Sequence, residues 1–214
     1  MTNETTNVTV KQGSKAKMRT KEITFVSLMG ALAAVLMMFD FPLPLMPPFM
    51  QFDFAGIVEI IGGLMFGPVA AVYIIVLKIL LKLVMTGSTT VGTGEIQNFI
   101  LSCTYVLPAV IVYTRNKNRK IAITCMGIDT VITSILAIFT NVYMIIPFYC
   151  QLMGWTVEDI IAMCTKTNSL VTDMTSFVIL GIIPFNIFKY GVTTLFTVLL
   201  YKRLSTPIRK FINE

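Results

Sequence analysis

From residue 22 to residue 201 the chain alternates between long apolar runs and short polar breaks. Six segments emerge, at about 22–39, 54–66, 69–85, 95–113, 121–146 and 170–201. A helix that crosses a bilayer needs about 20 mostly apolar residues. Most of the runs approach or exceed that length. The second falls short, which predicts a helix packed among its neighbours rather than one facing lipid along its whole length. Gly67-Pro68 separates the second and third segments at a tight turn. Pro108 lies inside the fourth, which a membrane bundle tolerates, and Pro184 predicts a kink in the sixth. The expected fold class is an all-α integral membrane protein with six transmembrane helices in one domain, residues 22–214. Residues 1–21 are too polar to pack a core and read as a disordered tail.

The basic residues orient this bundle. Thirteen of the seventeen Lys and Arg fall in the stretches 11–21, 115–120 and 202–210. All three emerge on one side if the chain crosses six times. Short loops rich in Lys and Arg stay in the cytoplasm, so both termini are expected inside, with the chain multi-pass in a bacterial cell (plasma) membrane. The composition agrees. Charged residues make up 13% of the chain, against about 25% in soluble domains. The net charge of +6 might otherwise suggest nucleic acid. Its placement excludes that reading, because no basic helix face or aromatic platform accompanies it. The first apolar run lacks a small-residue cleavage site and so reads as a span rather than a signal peptide.

Three basic residues remain inside apolar segments: Lys78, Lys82 and Lys189. A charge at mid-bilayer costs about 2.5–3.5 kcal/mol on insertion scales and is a functional candidate by default. Lys189 follows Asn186 by three residues, which places both on one helix face. With Asn141 they form a set of donors and acceptors suited to a neutral, polyfunctional ligand. The competing reading makes the amides interhelical glue and Lys189 a snorkelling cation. Lys78 and Lys82 are expected to pair with Glu59 and Glu95, since a buried charge must find a partner. Asp173 reads as a cap or a rim group.

The stretch 39–54 holds four prolines and five phenylalanines. It would expose much apolar surface as a free linker. It reads either as a stiff lid over an outward-facing pocket or as a loop lying in the interface. In the first segment Ser27/Ala31 and Gly30/Ala34 form two small-xxx-small pairs, a pattern for close helix approach, either internal or against another subunit.

Several chemistries are excluded. With no His and no C-x-x-C among four Cys, neither a metal site nor a Ser–His enzyme is expected. No P-loop motif occurs. The chain is not expected to be an enzyme or to carry a cofactor.

The stretch Phe41-Pro-Leu-Pro-Leu-Met-Pro-Pro-Phe49, the turn Phe66-Gly-Pro68, the run from Gly87-Ser-Thr-Thr90 to Gly94-Glu-x-x-Asn-Phe99, and Asn186-x-x-Lys189 resemble the substrate-binding S component of an energy-coupling-factor (ECF) vitamin transporter, of the riboflavin-specific type. The resemblance covers nearly all of the chain after Lys21. It implies a six-helix subunit that captures riboflavin at the outer face with high affinity. Release inward would be driven by a transmembrane T subunit and two cytoplasmic ATPases, in keeping with the missing P-loop. It further implies that the loop after the first helix is a gate, with Leu45, Met46, Phe49 and Asp53 at the ligand. Asn141, Asn186 and Lys189 would hold its polar groups, and Gly94 and Asn98 would lie near its ring. Ser27, Gly30, Ala31 and Ala34 would dock the T subunit. Flavin mononucleotide is a further candidate ligand. The alternatives are an S component for thiamin or biotin, or a ligand-free membrane scaffold. The run Phe54-Ala-Gly-Ile-Val-Glu59 departs from the family pattern, which places an acidic residue and then a proline close after Asp53.

Overall fold

The apolar runs fold as helices, and identifiable residues set where they stop. A computed structural model describes residues 20–88 and 90–213, with side chains through 201 and at 203. Residues 1–19 of the expected tail lie outside the described residues. Thr20 and Lys21 already belong to the first helix, α1 (Thr20–Met38). After α1 comes an antiparallel hairpin, β1 (Phe41–Pro42) and β2 (Gln51–Phe52), in which Phe41 pairs with Phe52 and Pro42 with Gln51. Pro44, Pro47 and Pro48 lie between the strands. Their fixed φ and missing N–H favour turns over longer strands. Met46 and Met50 close those turns by donating to the carbonyls of Leu43 and Pro47.

The short helix α2 (Ala55–Phe66) ends at Gly67, whose φ of +94° is accessible to glycine at little cost. Pro68 then opens α3 (Pro68–Thr86), where its missing N–H is no loss. Next come α4 (Thr93–Asn116), which carries Pro108 without a break, and α5 (Arg119–Thr140). Asn118 caps α5 by accepting the Lys120 N–H.

The two C-terminal helical stretches hold a feature absent from the sequence reading. Past Thr140 the helix widens into a π turn, Asn141–Ile145, and continues as α6 (Ile146–Met153). The last stretch does the same: α8 (Met174–Phe177), a π turn Val178–Ile182, then α9 (Ile183–Asn213). A proline stands two residues beyond each wide turn, Pro147 and Pro184. A proline ring clashes with the carbonyl one turn back and offers no N–H. Widening the turn moves that carbonyl aside and lets the helix run on.

The segment 147–168, which falls between the fifth and sixth apolar runs of the sequence, is therefore largely helical. Gly154 (φ +68°) separates α6 from α7 (Val157–Thr167). A capping box starts α7: Thr156 Oγ1 accepts the Asp159 N–H, and Asp159 accepts the Thr156 N–H. Asp173 caps α8 in the same way. Thr156→Ala is expected to cost about 1 kcal/mol. The readout is a lower thermal midpoint in detergent, with amide exchange accelerated in the first turn of α7.

Among the described residues, five segments are long and apolar enough to cross a bilayer: α1, α3, α4, the run Arg119–Met153 and the run Met174–Tyr201. The chain is a multi-pass membrane protein by this measure. The sixth expected span, α2, has 12 residues, a rise of about 18 Å against about 30 Å of hydrocarbon. It is instead seated among α1, α3, α4 and α9. Its small residues allow this, with Gly62 against Met29 and Ile74 and Gly63 against Ala71 and Val110. On α1, Gly30 abuts Leu77 of α3 and Ala34 is buried. Both residues are thus covered by neighbouring helices within the chain. Ser27 is exposed and Ala31 half-buried. Leu28, Leu32, Val84, Ile128 and Leu199 point outward, a surface suited to hydrocarbon rather than water.

Candidate functional site

Asp53 sits where the hairpin, α2 and α9 meet. One carboxylate oxygen accepts the Ala55 N–H at 2.9 Å, next to the start of α2. The other accepts from Lys189 Nζ at 2.7 Å, across 136 residues of chain. Burial opposes ionisation of this carboxyl, but Lys189 and then Lys78 outweigh it and hold the pKa below its ordinary 3.8. The pair's contribution to stability is therefore whole above that value and lost only as pH falls below it.

Beside this pair lies a cavity of about 130 Å³. Close-packed interiors hold few voids larger than a water molecule, so it reads as a built site. The hairpin, the start of α4, the first π turn, α6 and α9 all contribute to it. Asn141 opens the first π turn, and its amide donates to the Ala137 carbonyl at 2.7 Å. Asn186 donates to the Ile182 carbonyl, at the end of the second π turn, at 2.8 Å. A backbone carbonyl can only accept, so in both side chains the nitrogen must face the helix. Both Asn oxygens are thereby left as acceptors for the cavity.

A second polar group adjoins α4. Lys78 and Glu59, each 1% exposed, form an ion pair. Lys78 also donates to Asn98 Oδ1 at 2.6 Å and to Ser102 Oγ at 3.4 Å. Toward the α3–α4 connection, the hydroxyls of Ser88 and Thr90 donate to Glu95 at 2.8 and 3.3 Å. Lys82 stands 4.0 Å from both Glu95 and Asp40. The expected pairing of the α3 lysines with Glu59 and Glu95 is what the structure shows. Aromatic side chains complete the walls. Phe49 meets Tyr149 and Phe177 edge-on at 6.0 and 6.2 Å. Tyr190 lies 4.6 Å from Tyr105, and Trp155 packs behind Tyr149 at 5.5 Å.

Of the residues singled out in the sequence, Phe49, Asp53, Gly94, Asn98, Asn141, Asn186 and Lys189 line this one cavity. Leu45 and Met46 do not. The turn that Met46 closes onto Leu43 directs Leu45 outward, 64% exposed and at φ +66°. Met46 packs against the core instead. The sequence reading missed Gln51, Gln97, Tyr149 and Tyr190. Tyr149 falls outside the six apolar runs, and nothing in a lone Gln or Tyr marks it as facing a cavity. Among the described residues no group of three or more His, Cys, Asp or Glu is placed to hold a metal.

Residues 21–201 match the family model of the ECF transporter substrate-specific component. The chain belongs to that family. This S component is 28% identical to the riboflavin transporter FmnP of Bacillus subtilis (strain 168) over 194 residues, 90% of this chain and 96% of that protein. It is 27% identical to the riboflavin transporter RibU of Staphylococcus aureus (strain TCH60) over 190 residues, 89% of this chain and 93% of that one. A solved structure of the S component of a bacterial ECF transporter superposes with a TM-score of 0.68 at 27% identity, covering 91% of this chain and 98% of the other. These relatives are transport proteins, and the S component is not an enzyme.

Proposed function

We propose that this S component is the high-affinity riboflavin-capturing subunit of an ECF vitamin importer in the bacterial plasma membrane. One observation carries the reading. A single cavity beneath the proline-rich hairpin brings together two amide acceptors, a lysine–aspartate pair and an aromatic wall. Two relatives that cover about nine-tenths of the chain are named riboflavin transporters. A flavin offers a broad apolar ring for the aromatic wall and several polar edges for the amides, with affinity from ring burial and specificity from the polar contacts.

In this reading α2 counts as the sixth membrane segment, and both termini lie in the cytoplasm. The hairpin is the outer gate. A T subunit and two ATPases drive release inward. The T subunit meets the outward Ser27/Ala31 face of α1, since Gly30 and Ala34 are covered by α3. Flavin mononucleotide is the weaker ligand. Lys82, a cation at the cavity, is already flanked by Asp40 and Glu95, which would repel a phosphate.

The test is the visible spectrum of detergent-purified protein, followed by titration of Trp155 and tyrosine fluorescence with riboflavin and with flavin mononucleotide. A yellow preparation, or quenching that saturates at one riboflavin per chain, supports the reading. Quenching by thiamin or biotin alone, or by no vitamin, overturns it. The exposed hairpin tip supplies a control. Leu45→Asn is expected to leave the riboflavin titration unchanged and to ease the positive φ, which costs about 1–2 kcal/mol for an ordinary side chain.

A further inference from the structure

We propose that Lys78, which does not reach the cavity itself, is a positioning residue that fixes Asn98 as a hydrogen-bond donor toward the ligand and so selects for a ring acceptor there. The inference rests on the flavin reading above. An ammonium has three N–H donors and no acceptor. Lys78 pairs with the Glu59 carboxylate and donates to Asn98 Oδ1 and Ser102 Oγ. The atom of Asn98 facing Lys78 at 2.6 Å must therefore be oxygen. Ser102 Oγ donates to the same oxygen at 3.4 Å, which uses both of its lone pairs. Asn98 lines the cavity, and the group it has left to offer is the amide N–H₂. Asn141 and Asn186 are held the opposite way round, nitrogen to the helix and oxygen inward. The cavity thus carries a fixed pattern of one amide donor and two amide acceptors. An asparagine free to rotate would accept either kind of ligand edge; this one is locked. Glu59 in turn holds the lysine in place, and both are 1% exposed.

The experiment compares binding of riboflavin with four single-atom analogues, 1-deaza-, 5-deaza-, 2-thio- and 4-thioriboflavin. Each removes or weakens one ring acceptor. The wild type is expected to bind at least one of them about tenfold more weakly than riboflavin. Single charge deletions at a buried pair risk unfolding, so the lysine is tested in a neutral background. Glu59→Gln/Lys78→Gln keeps an N–H donor toward Asn98 and should retain the discrimination. Glu59→Gln/Lys78→Met removes the lysine donor, leaves only the long 3.4 Å Ser102 contact on Asn98 Oδ1, and should bring the ratio close to one. Asn98→Asp keeps its oxygen on Lys78 and loses the N–H₂, and it should also lose the discrimination. Thermal unfolding confirms that the variants compared are folded.

Discrimination that survives in the Lys78→Met double variant or in Asn98→Asp overturns the inference. So does equal loss in the Gln and Met doubles, or a wild type indifferent to all four analogues. A wild type that binds no riboflavin overturns the flavin reading and this inference with it. Riboflavin binding with unaltered ratios overturns this inference alone.

Discussion

Replacing Lys189 by methionine is expected to weaken riboflavin binding by about 1–3 kcal/mol, the range for a lost hydrogen bond to a charged group. The same change should lower the thermal midpoint, because Asp53 then keeps a buried charge with no cation beside it. Removing one partner of a buried pair typically costs about 3–5 kcal/mol. The Lys189 side chain is 14% exposed against 5% for Asp53, so the lower end of that range applies. The two effects separate in Asp53→Asn/Lys189→Met. Its stability should return most of the way, since neither charge is left alone, while riboflavin binding stays weak. Fluorescence titration and thermal unfolding on the same preparations read both quantities. Wild-type affinity in the double variant would show that Lys189 serves the hairpin and not the ligand.

The largest structural effect is expected at Gly63. A Cβ there would stand 2.6 Å from Val110 Cγ2 and 3.0 Å from Ala71 Cβ. These neighbours belong to α4 and α3, and the Ala71 methyl has no rotamer to escape into. Gly63→Ala should cost about 1–3 kcal/mol as overpacking. Gly63→Leu should prevent α2 from seating and leave little monodisperse protein in detergent. Gly127→Leu is the control, because nothing lies within 4 Å of a Cβ at that position. It should purify and unfold like the wild type. Normal yield and unfolding for Gly63→Leu would mean that α2 is not wedged as described.

Much of the bundle was legible because the bilayer imposes a simple rule: apolar runs, polar breaks. The Gly67-Pro68 turn could be placed by the conformations these two residues allow. The Glu59–Lys78 pair was legible for a related reason, as an intramembrane cation needs an anion. Other features depend on contacts that no local pattern announces. Asp53 and Lys189 are 136 residues apart, and neither names the other. The two π turns lie in stretches that stay apolar throughout, so no periodicity marks them; only the prolines beyond them hint at a widened turn. The helices of 147–168 were missed for a different reason. They fall outside the six long apolar runs, although Thr156-x-x-Asp159 carries a helix start signal. The small residues of α1 were visible, but which pair faces inward depends on how the helix is rotated against α3.

The wide turns at Asn141–Ile145 and Val178–Ile182 make the site sensitive to the number of residues in the chain as well as to their kind. Each behaves as one residue more than a regular helix would need. Deleting a single residue from Asn141–Ile145 would leave a perfectly good helix and a similar apolar run. The helix beyond it would keep its face, because an i→i+5 turn takes up one more residue than an i→i+4 turn over about the same angle. Tyr149 would stay at the cavity wall and Trp155 behind it, and the change would fall on the turn itself, where Asn141 and Ile145 line the cavity. A lineage of such chains can therefore reshape one stretch of the lining by gaining or losing one letter, with the rest of the wall held in place.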